Sequence, residues 1–337
     1  MRVAVIGAGI GGLCAAIGLQ RAGADVVVLE RAPQLRPVGS GLSVFANGVA
    51  ALEALGVGEG FRDITTTQPS ILRGGQRRPD GRWLATLPAS SLAHLRIVHR
   101  AELHDLLVAA LRPGTLHLGV EVTGADAASG TVTTSGDGDL VGESFDVVLA
   151  ADGIRSTVRR SWPGDPGLRY AGYSTWRGIT ERPVDLRSAA GETWGHRLRF
   201  GLAPLRDGRV YWFAVASMPA DETVTDEFGE VRRLFGHWHP PVPELLANTV
   251  PDTVFRLPIN ELAGPLPTFV RGRCVLLGDA AHAMTPDLGQ GGGQAMEDAA
   301  TLAILLRPFA AEEFPDPAGV GTALASYDRL RRARTQP

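Results

Sequence analysis

No lysine occurs in this 337-residue chain, so its 33 Lys-plus-Arg cations are all arginines. Without an ε-amino group, a Schiff-base or lysine-nucleophile mechanism is excluded. Cysteine is almost as scarce. Cys14 and Cys274 are the only two, and each sits in an apolar run, as core thiols of a reducing compartment do, rather than in a disulfide framework. There is no excess of positive charge either: the net charge of −3 provides no long-range attraction for a polyanion, so nucleic acid is not an expected partner. No His/Cys/Asp cluster has metal-ligand spacing, and no metal is expected. The one long apolar stretch, residues 3–19, is broken by Gly7, Gly9, Gly11, Gly12 and Gly18 and has only Arg2 before it. It resembles neither a membrane span nor a signal peptide. The expectation is a cytoplasmic chain with no membrane span.

The composition that remains, 44% hydrophobic and 20% charged with 42 glycines, is that of a globular protein, and the length predicts two lobes. Residues 3–6 form a short unbroken β-prone run suited to a parallel strand covered on both faces. Glycines follow at once, then a helix over 13–22 ending at Gly23, then a second apolar strand over 25–29 with Glu30 at its carboxyl end. Amphipathic helices are predicted over 46–55 and 101–111. Residues 116–134 alternate β-prone stretches with glycines, Gly136-Asp137-Gly138 interrupts them, and 145–150 resumes a buried-strand pattern. From 168 to 270 most of the aromatics appear among alternating polar and apolar positions, which predicts a second, antiparallel layer with a ligand-facing side. A strand over 273–277, a helix over 293–306 and a last helix from about 319 complete the chain.

The glycines of residues 7–12 read G-x-G-x-x-G between a strand and a helix, with an acidic residue closing the next strand. In that setting Gly7 permits the tight turn, Gly9 lets the backbone approach a pyrophosphate, and Gly12 lets helix and strand pack closely, with Gly11 beside them. Phosphates would then sit on the helix N-terminus. Glu30 would accept hydrogen bonds from the adenosine ribose, and its charge disfavours a 2′-phosphate. FAD and NAD both fit this motif, which alone does not choose between them.

The choice comes from the run Gly278-Asp279-Ala280-Ala281-His282-Ala283-Met284-Thr285-Pro286-Asp287-Leu288-Gly289-Gln290-Gly291-Gly292-Gly293, followed by Glu297-Asp298. Together with Asp152-Gly153-Ile154-Arg155-Ser156, it resembles the single-component class A flavoprotein monooxygenases of the p-hydroxybenzoate hydroxylase type over nearly the whole chain. The pattern is most similar to the branch containing FAD-dependent urate hydroxylase, 6-hydroxynicotinate monooxygenase and zeaxanthin epoxidase. The resemblance implies that Asp279 holds the ribityl or pyrophosphate region of FAD, with Pro286 in the same segment. Backbone N–H groups around Gly289, Gly291 and Gly292 would stabilise negative charge on reduced flavin. It further implies that Asp152 and Gly153 lie near both the pyrophosphate and a transient NADH or NADPH. Arg100 would contact the FAD phosphates, and Arg31 and the backbone near Val122 the adenine. His282, inside the flavin segment, is expected to make a structural hydrogen bond.

On the substrate side the resemblance places residues 199–205 and 208–213 on strands that line the pocket, with Arg199, Tyr211 and Asp287 as an anion-binding and proton-handling set. The implied architecture is α/β: a Rossmann-like FAD-binding domain of residues 1–68, 98–168 and 271–337, with an inserted, mainly antiparallel β substrate domain of 69–97 and 169–270. The implied reaction is NAD(P)H-driven reduction of FAD, formation of a flavin C4a-hydroperoxide with O₂, and hydroxylation of a small aromatic or heteroaromatic compound by a monomer or homodimer. A non-oxygenating flavin oxidoreductase of the same fold and a flavin-binding protein without catalysis are the alternatives. A flavin-dependent halogenase fits less well, because it carries Trp-x-Trp-x-Ile-Pro where this chain has Ser174-Thr175-Trp176-Arg177-Gly178-Ile179. Family members usually continue past the segment resembling residues 325–334 into a long terminal helix, whereas this sequence stops at Pro337.

Overall fold

The computed structural model of the chain describes residues 1–35, 40–65, 73–88, 90, 94–135 and 142–336. Gly136-Asp137-Gly138 and the expected boundary between 68 and 69 lie outside them. Arg2–Ile6 is apolar on both faces and buried from Val3 onward, so it takes a central place in a six-stranded sheet. In space the order is Val270–Arg271, Cys274–Leu276, Val147–Ala150, Arg2–Ile6, Asp25–Glu30, Leu116–Leu118. Every neighbouring pair is parallel except the hairpin of the first two.

The helix Ile10–Ala22 packs against this sheet and against the helix Gly291–Ala310. Apolar residues cover nearly all of its surface, as a helix covered on both sides requires. A Cβ at Gly11 would lie 3.1 Å from the Ala295 Cβ, and one at Gly18 would lie 2.7 Å from that of Ala303, so glycine sets how closely the two helices approach. The helix ends on Gly23 at φ 105°, whose N–H reaches the Gln20 carbonyl while that of Ala24 reaches Leu19. Leu13, Ile17 and Leu19 are almost fully buried here, each contributing about 1.5–3 kcal/mol.

A second sheet of seven strands runs Phe255–Leu262, Leu168–Ile179, Val210–Ser217, Leu198–Pro204, Gly191–Trp194, Gly75–Arg77, Trp83–Thr86. The antiparallel layer expected from the alternation is present, with one parallel pair, Gly191–Trp194 beside Gly75–Arg77. One face carries Trp176, Phe200 and Trp212, which form a second core with the helices Glu227–Phe235 and Val242–Ala247. Phe200 stacks on Trp212 with centroids 5.5 Å apart.

Directly paired residues of antiparallel strands share a face, so the register fixes what the opposite face presents. Leu257, Thr175, Val215, Arg199 and Trp194 form one row across five strands; Phe255, Arg177, Phe213, Gly201 and Glu192 form the next. Ile179, Tyr211 and Ala203 form a third.

The helix predicted over 293–306 in fact runs from Gly291 to Ala310, because it begins among the glycines that read as loop. The last helix starts at Pro317, where Asp316 caps the amides of Ala318 and Gly319. Among the described residues no helix is long and apolar enough to cross a membrane.

Candidate active site

The first turn is shaped by backbone contacts. Gly7 has φ +100° and donates its N–H to the Leu29 carbonyl at 2.8 Å; a Cβ there would lie 2.6 Å from the Ala151 carbonyl oxygen. A Cβ on Gly12 would run into the Gly7 carbonyl, whereas one on Gly9 would meet nothing within 4 Å. Gly9 therefore faces open space at the start of the helix, where helix-end N–H groups and the helix dipole favour an anion. Glu30 accepts the Ala8 amide on one carboxylate oxygen and the Ala32 amide on the other, both at 2.9 Å. These bonds fix its orientation and leave lone pairs for a ligand hydroxyl. The amides of Gly119 and Val120 donate to the carbonyls of Ala32 and Glu30, two residues before buried Val122. Arg31 is exposed. His104, which the sequence reading passed over, contacts the Ala8 carbonyl at 2.9 Å.

Asp152 follows the strand Val147–Ala150. One of its carboxylate oxygens accepts the Thr157 amide at 2.7 Å; the other is buried without a hydrogen-bond partner. Gly153, next to it, turns the chain at φ +77°. Arg159 anchors the neighbouring segment by donating to Asp165 at 3.0 Å and to the Ala280 carbonyl at 3.3 Å.

The flavin-like segment is held from behind by Asp298. This fully buried carboxylate accepts the Gly278 amide at 2.8 Å, His282 Nε2 at 2.6 Å and Arg331 Nε at 2.6 Å. Burial pushes the Asp298 carboxyl up, but the His282 and Arg331 charges outweigh it and hold the group below the ordinary carboxylate range. Burial likewise pushes His282 down, and Asp298 more than reverses this. The geometry fits the structural hydrogen bond expected of His282, and the Asp298 charge favours its protonated form. In front, Asp279 is exposed at the start of the short helix Asp279–His282. Gly289 turns the chain at φ +63°, and the helix Gly291–Ala310 begins with three glycines and no side-chain cap. A Cβ on Gly291 would lie 4.0 Å from Asp279 Oδ1, so the carboxylate and the uncapped helix end adjoin. Gly292 lies one residue further into this uncapped turn, and Pro286 is exposed before it.

These features fit FAD. The open space at Gly9, the anchored Glu30, the unpartnered Asp152 oxygen and the uncapped N–H groups at Gly291 and Gly292 suit a long ligand with ribose, phosphate and carbonyl groups. Arg100 starts the helix Arg100–Ala109 and interacts electrostatically with Arg177, Asp279 and Tyr211. Desolvation and the Arg177 charge lower its pKa.

On the face of the second sheet opposite its aromatic core the expected trio divides. Arg199 Nη2 donates to Asp287 Oδ1 at 2.5 Å, and Tyr173 donates to Asp287 Oδ2 at 3.0 Å beneath the same guanidinium, 5.3 Å from ring to Cζ. Tyr211 stands apart. Its ring covers Gly41, where a Cβ would collide with it, and its charged neighbours are Arg177 and Arg100. Tyr173 takes the phenol's place in the cluster. It was legible as one of the scattered aromatics but not as a partner of Asp287. Burial, together with the Asp287 hydrogen bond and charge, pushes its pKa up to about 12. Burial raises Asp287, but Arg199, Thr285 and Tyr173 together keep it below the ordinary range. The Phe213 ring, in the strand beside Arg177, reaches over Gly201, where any Cβ would overlap it.

The model of the FAD binding domain family matches residues 1–336. Aurachin C monooxygenase/isomerase of Stigmatella aurantiaca is 37% identical over 343 residues, covering 99% of this chain and 86% of that protein. FAD-dependent urate hydroxylase of Klebsiella pneumoniae is 36% identical over 352 residues, covering 100% and 87%. Among solved structures, Klebsiella pneumoniae HpxO complexed with FAD and uric acid superposes with a TM-score of 0.86 at 32% identity, over 100% of this chain and 85% of that one. With the nucleotide turn, the Asp279 segment and the two-sheet architecture in place, the chain belongs to the FAD binding domain family, as a class A FAD-dependent monooxygenase of the p-hydroxybenzoate hydroxylase fold.

Proposed function

We propose that residues 1–68, 98–168 and 271–337 form the FAD-binding domain and that 69–97 and 169–270 form the substrate domain, with the hydroxylated ring bound between them. The separate cores beneath the two sheets support a two-part division, with Leu262, Leu266 and Phe269 at the end of the second segment packing into the first core. The substrate is a small aromatic or heteroaromatic compound; urate and 3-amino-4-hydroxybenzoate, named in the relatives, are apt first probes. The observation that carries the reading is that the ligand-facing side of the second sheet meets the FAD segment in two places. Asp287 reaches Arg199 and Tyr173, and Arg100 is attracted by Asp279 and repelled by Arg177 of the second sheet.

Gly7, Gly9, Gly11 and Gly12 would receive the pyrophosphate and Glu30 the adenosine ribose, with Arg31 and the Val122 backbone near the adenine. Asp152, Gly153 and Arg100 would lie along the phosphates, and Asp279 and Pro286 along the ribityl chain. The amides of Gly289, Gly291 and Gly292 would face the flavin pyrimidine. FAD, reduced by a transient NADH or NADPH, supplies the oxygen activation. The chain's own residues position the substrate and exclude water. Phe213 offers an apolar aromatic surface. Tyr173, with its pKa near 12, stays neutral and donates a hydrogen bond, and Asp287, held anionic, orients Arg199 rather than acting as a base near neutral pH. The buried thiols and NAD(P)H use support a cytoplasmic protein, acting as a monomer or homodimer. The purified flavoprotein tests the proposal: ring substrates accelerate its NAD(P)H oxidation and are recovered hydroxylated. A protein that binds FAD but ignores a broad panel of such rings would contradict it.

A further inference from the structure

The ligand-facing side of the second sheet carries two guanidiniums, and they are not equivalent. Arg199 is engaged by Asp287 at 2.5 Å and lies over the Tyr173 ring. Arg177 is half-buried, one row nearer Tyr211, and has no carboxylate or hydrogen-bond partner among the described residues. Its charged neighbour is another cation, Arg100, whose charge Asp279 and Tyr211 favour and Arg177 opposes. A half-buried arginine without a counter-charge is costly, because desolvation removes water that no carboxylate replaces. Two residues along the same strand and on the same face, Thr175 is 2% exposed and its hydroxyl also lacks a partner. Two partnerless polar groups thus share one strand face, and the Phe213 ring lies beside Arg177 in the neighbouring strand. Planar, bidentate recognition of an anion is what a free guanidinium does well.

We propose that Arg177, assisted by the Thr175 hydroxyl, receives the negative charge of an anionic aromatic substrate whose ring lies against Phe213, while Arg199 is reserved by Asp287. Arg177 is therefore a specificity-determining residue that selects ionised rings over neutral ones of the same shape. Neutralising it removes the anion's partner, makes no change in the Gly7–Gly12 turn, and on the cofactor side only relieves repulsion on Arg100. This inference rests on the monooxygenase reading, and the test separates the two.

FAD-loaded wild-type protein, Arg177→Gln and Arg177→Lys are titrated with urate, salicylate and 3-amino-4-hydroxybenzoate, and with salicylamide as a neutral counterpart. Binding is followed by the perturbation of flavin absorbance, the FAD dissociation constant is measured separately, and NAD(P)H oxidation and product are assayed in parallel. Arg177→Gln is expected to weaken the anions roughly 10- to 100-fold, the range of a charge-assisted hydrogen bond. It should leave salicylamide and FAD within about threefold, a change under 1 kcal/mol by the same relation, and Arg177→Lys should recover part of the loss. The proposal is overturned if the anions bind wild type and Arg177→Gln alike, if wild type binds salicylamide as tightly as salicylate, or if no anion perturbs the wild-type flavin. Lost FAD affinity with unchanged anion binding would also overturn it and assign Arg177 to the cofactor. Tight anion binding without any hydroxylated product would leave this inference standing and remove the monooxygenase reading instead.

Discussion

Arg199 Nη2 and Asp287 Oδ1 lie 2.5 Å apart, tying the central part of the substrate-side sheet to the loop that leads into the helix Gly291–Ala310. The pair is partly open to solvent, with side-chain exposures of 24% and 37%, so its contribution to stability is within about 1 kcal/mol. Its importance is positional. Asp287→Asn should therefore leave the melting temperature and FAD content nearly unchanged while freeing Arg199 and loosening Tyr173. The expected result is a rise of about tenfold in KM for the ring substrate, near 1.4 kcal/mol, with greater loss of NAD(P)H equivalents as hydrogen peroxide. Steady-state kinetics with peroxide detection check this; unaltered KM and coupling would show that the pair only braces the fold.

The glycines of the first turn predict two opposite phenotypes. Gly7→Ala forces a side chain onto φ +100° and against the Ala151 carbonyl, so it should destabilise the apoprotein by about 1–3 kcal/mol. Gly9→Ala meets nothing in the folded chain, so the apoprotein should melt as wild type does, yet bind FAD at least about tenfold more weakly, because the methyl group enters the space assigned to the pyrophosphate. Calorimetry of apoprotein and fluorescence titration with FAD distinguish the two. Equal FAD affinity in Gly9→Ala would remove the pyrophosphate from that position.

Gly201→Ala probes the Phe213 surface. Its Cβ would overlap the Phe213 ring, so the ring has to move. FAD binding should persist and substrate binding should weaken, read as a smaller substrate-induced change in the flavin spectrum. A variant with wild-type substrate affinity would show that Phe213 does not contact the ring.

The His282–Asp298 pair predicts a pH dependence. His282 has its folded pKa raised, so its contribution is complete below its unfolded value, about 6.5, and is lost as pH rises through the folded value. Asp298 has its folded pKa depressed, so its contribution is present above about 3.9 and is lost as pH falls through the folded value. The two windows overlap between about pH 4 and 6.5. The melting-temperature difference between wild type and His282→Asn should be greatest there and shrink on the alkaline side. A difference that stays constant from pH 6 to 10 would mean that His282 is a neutral hydrogen-bond donor.

Local chemistry explains what the sequence made legible. The turn at Gly7, the acidic end of the second strand at Glu30 and the Gly278-Asp279 run are contiguous motifs whose geometry depends on near neighbours. Along the strand, partly exposed Tyr173 and Arg177 share one face while buried Ser174, Trp176 and Gly178 share the other. Strand register was not legible, and register decides that Arg199 and Tyr211 stand on different rows. Loop placement was not legible either, so Tyr173 could not be matched with Asp287, 114 residues away. The Asp298–Arg331 contact, between residues 33 apart on two helices, depends on how those helices pack. No spacing rule reports it.

The most direct test of the central claim follows oxygen. With the FAD-loaded protein, NAD(P)H, an accelerating aromatic substrate and ¹⁸O₂, the account predicts product carrying one labelled oxygen atom for each coupled turnover. Accelerated NAD(P)H oxidation that gives unlabelled or unchanged substrate, with all the consumed oxygen recovered as peroxide, would contradict it.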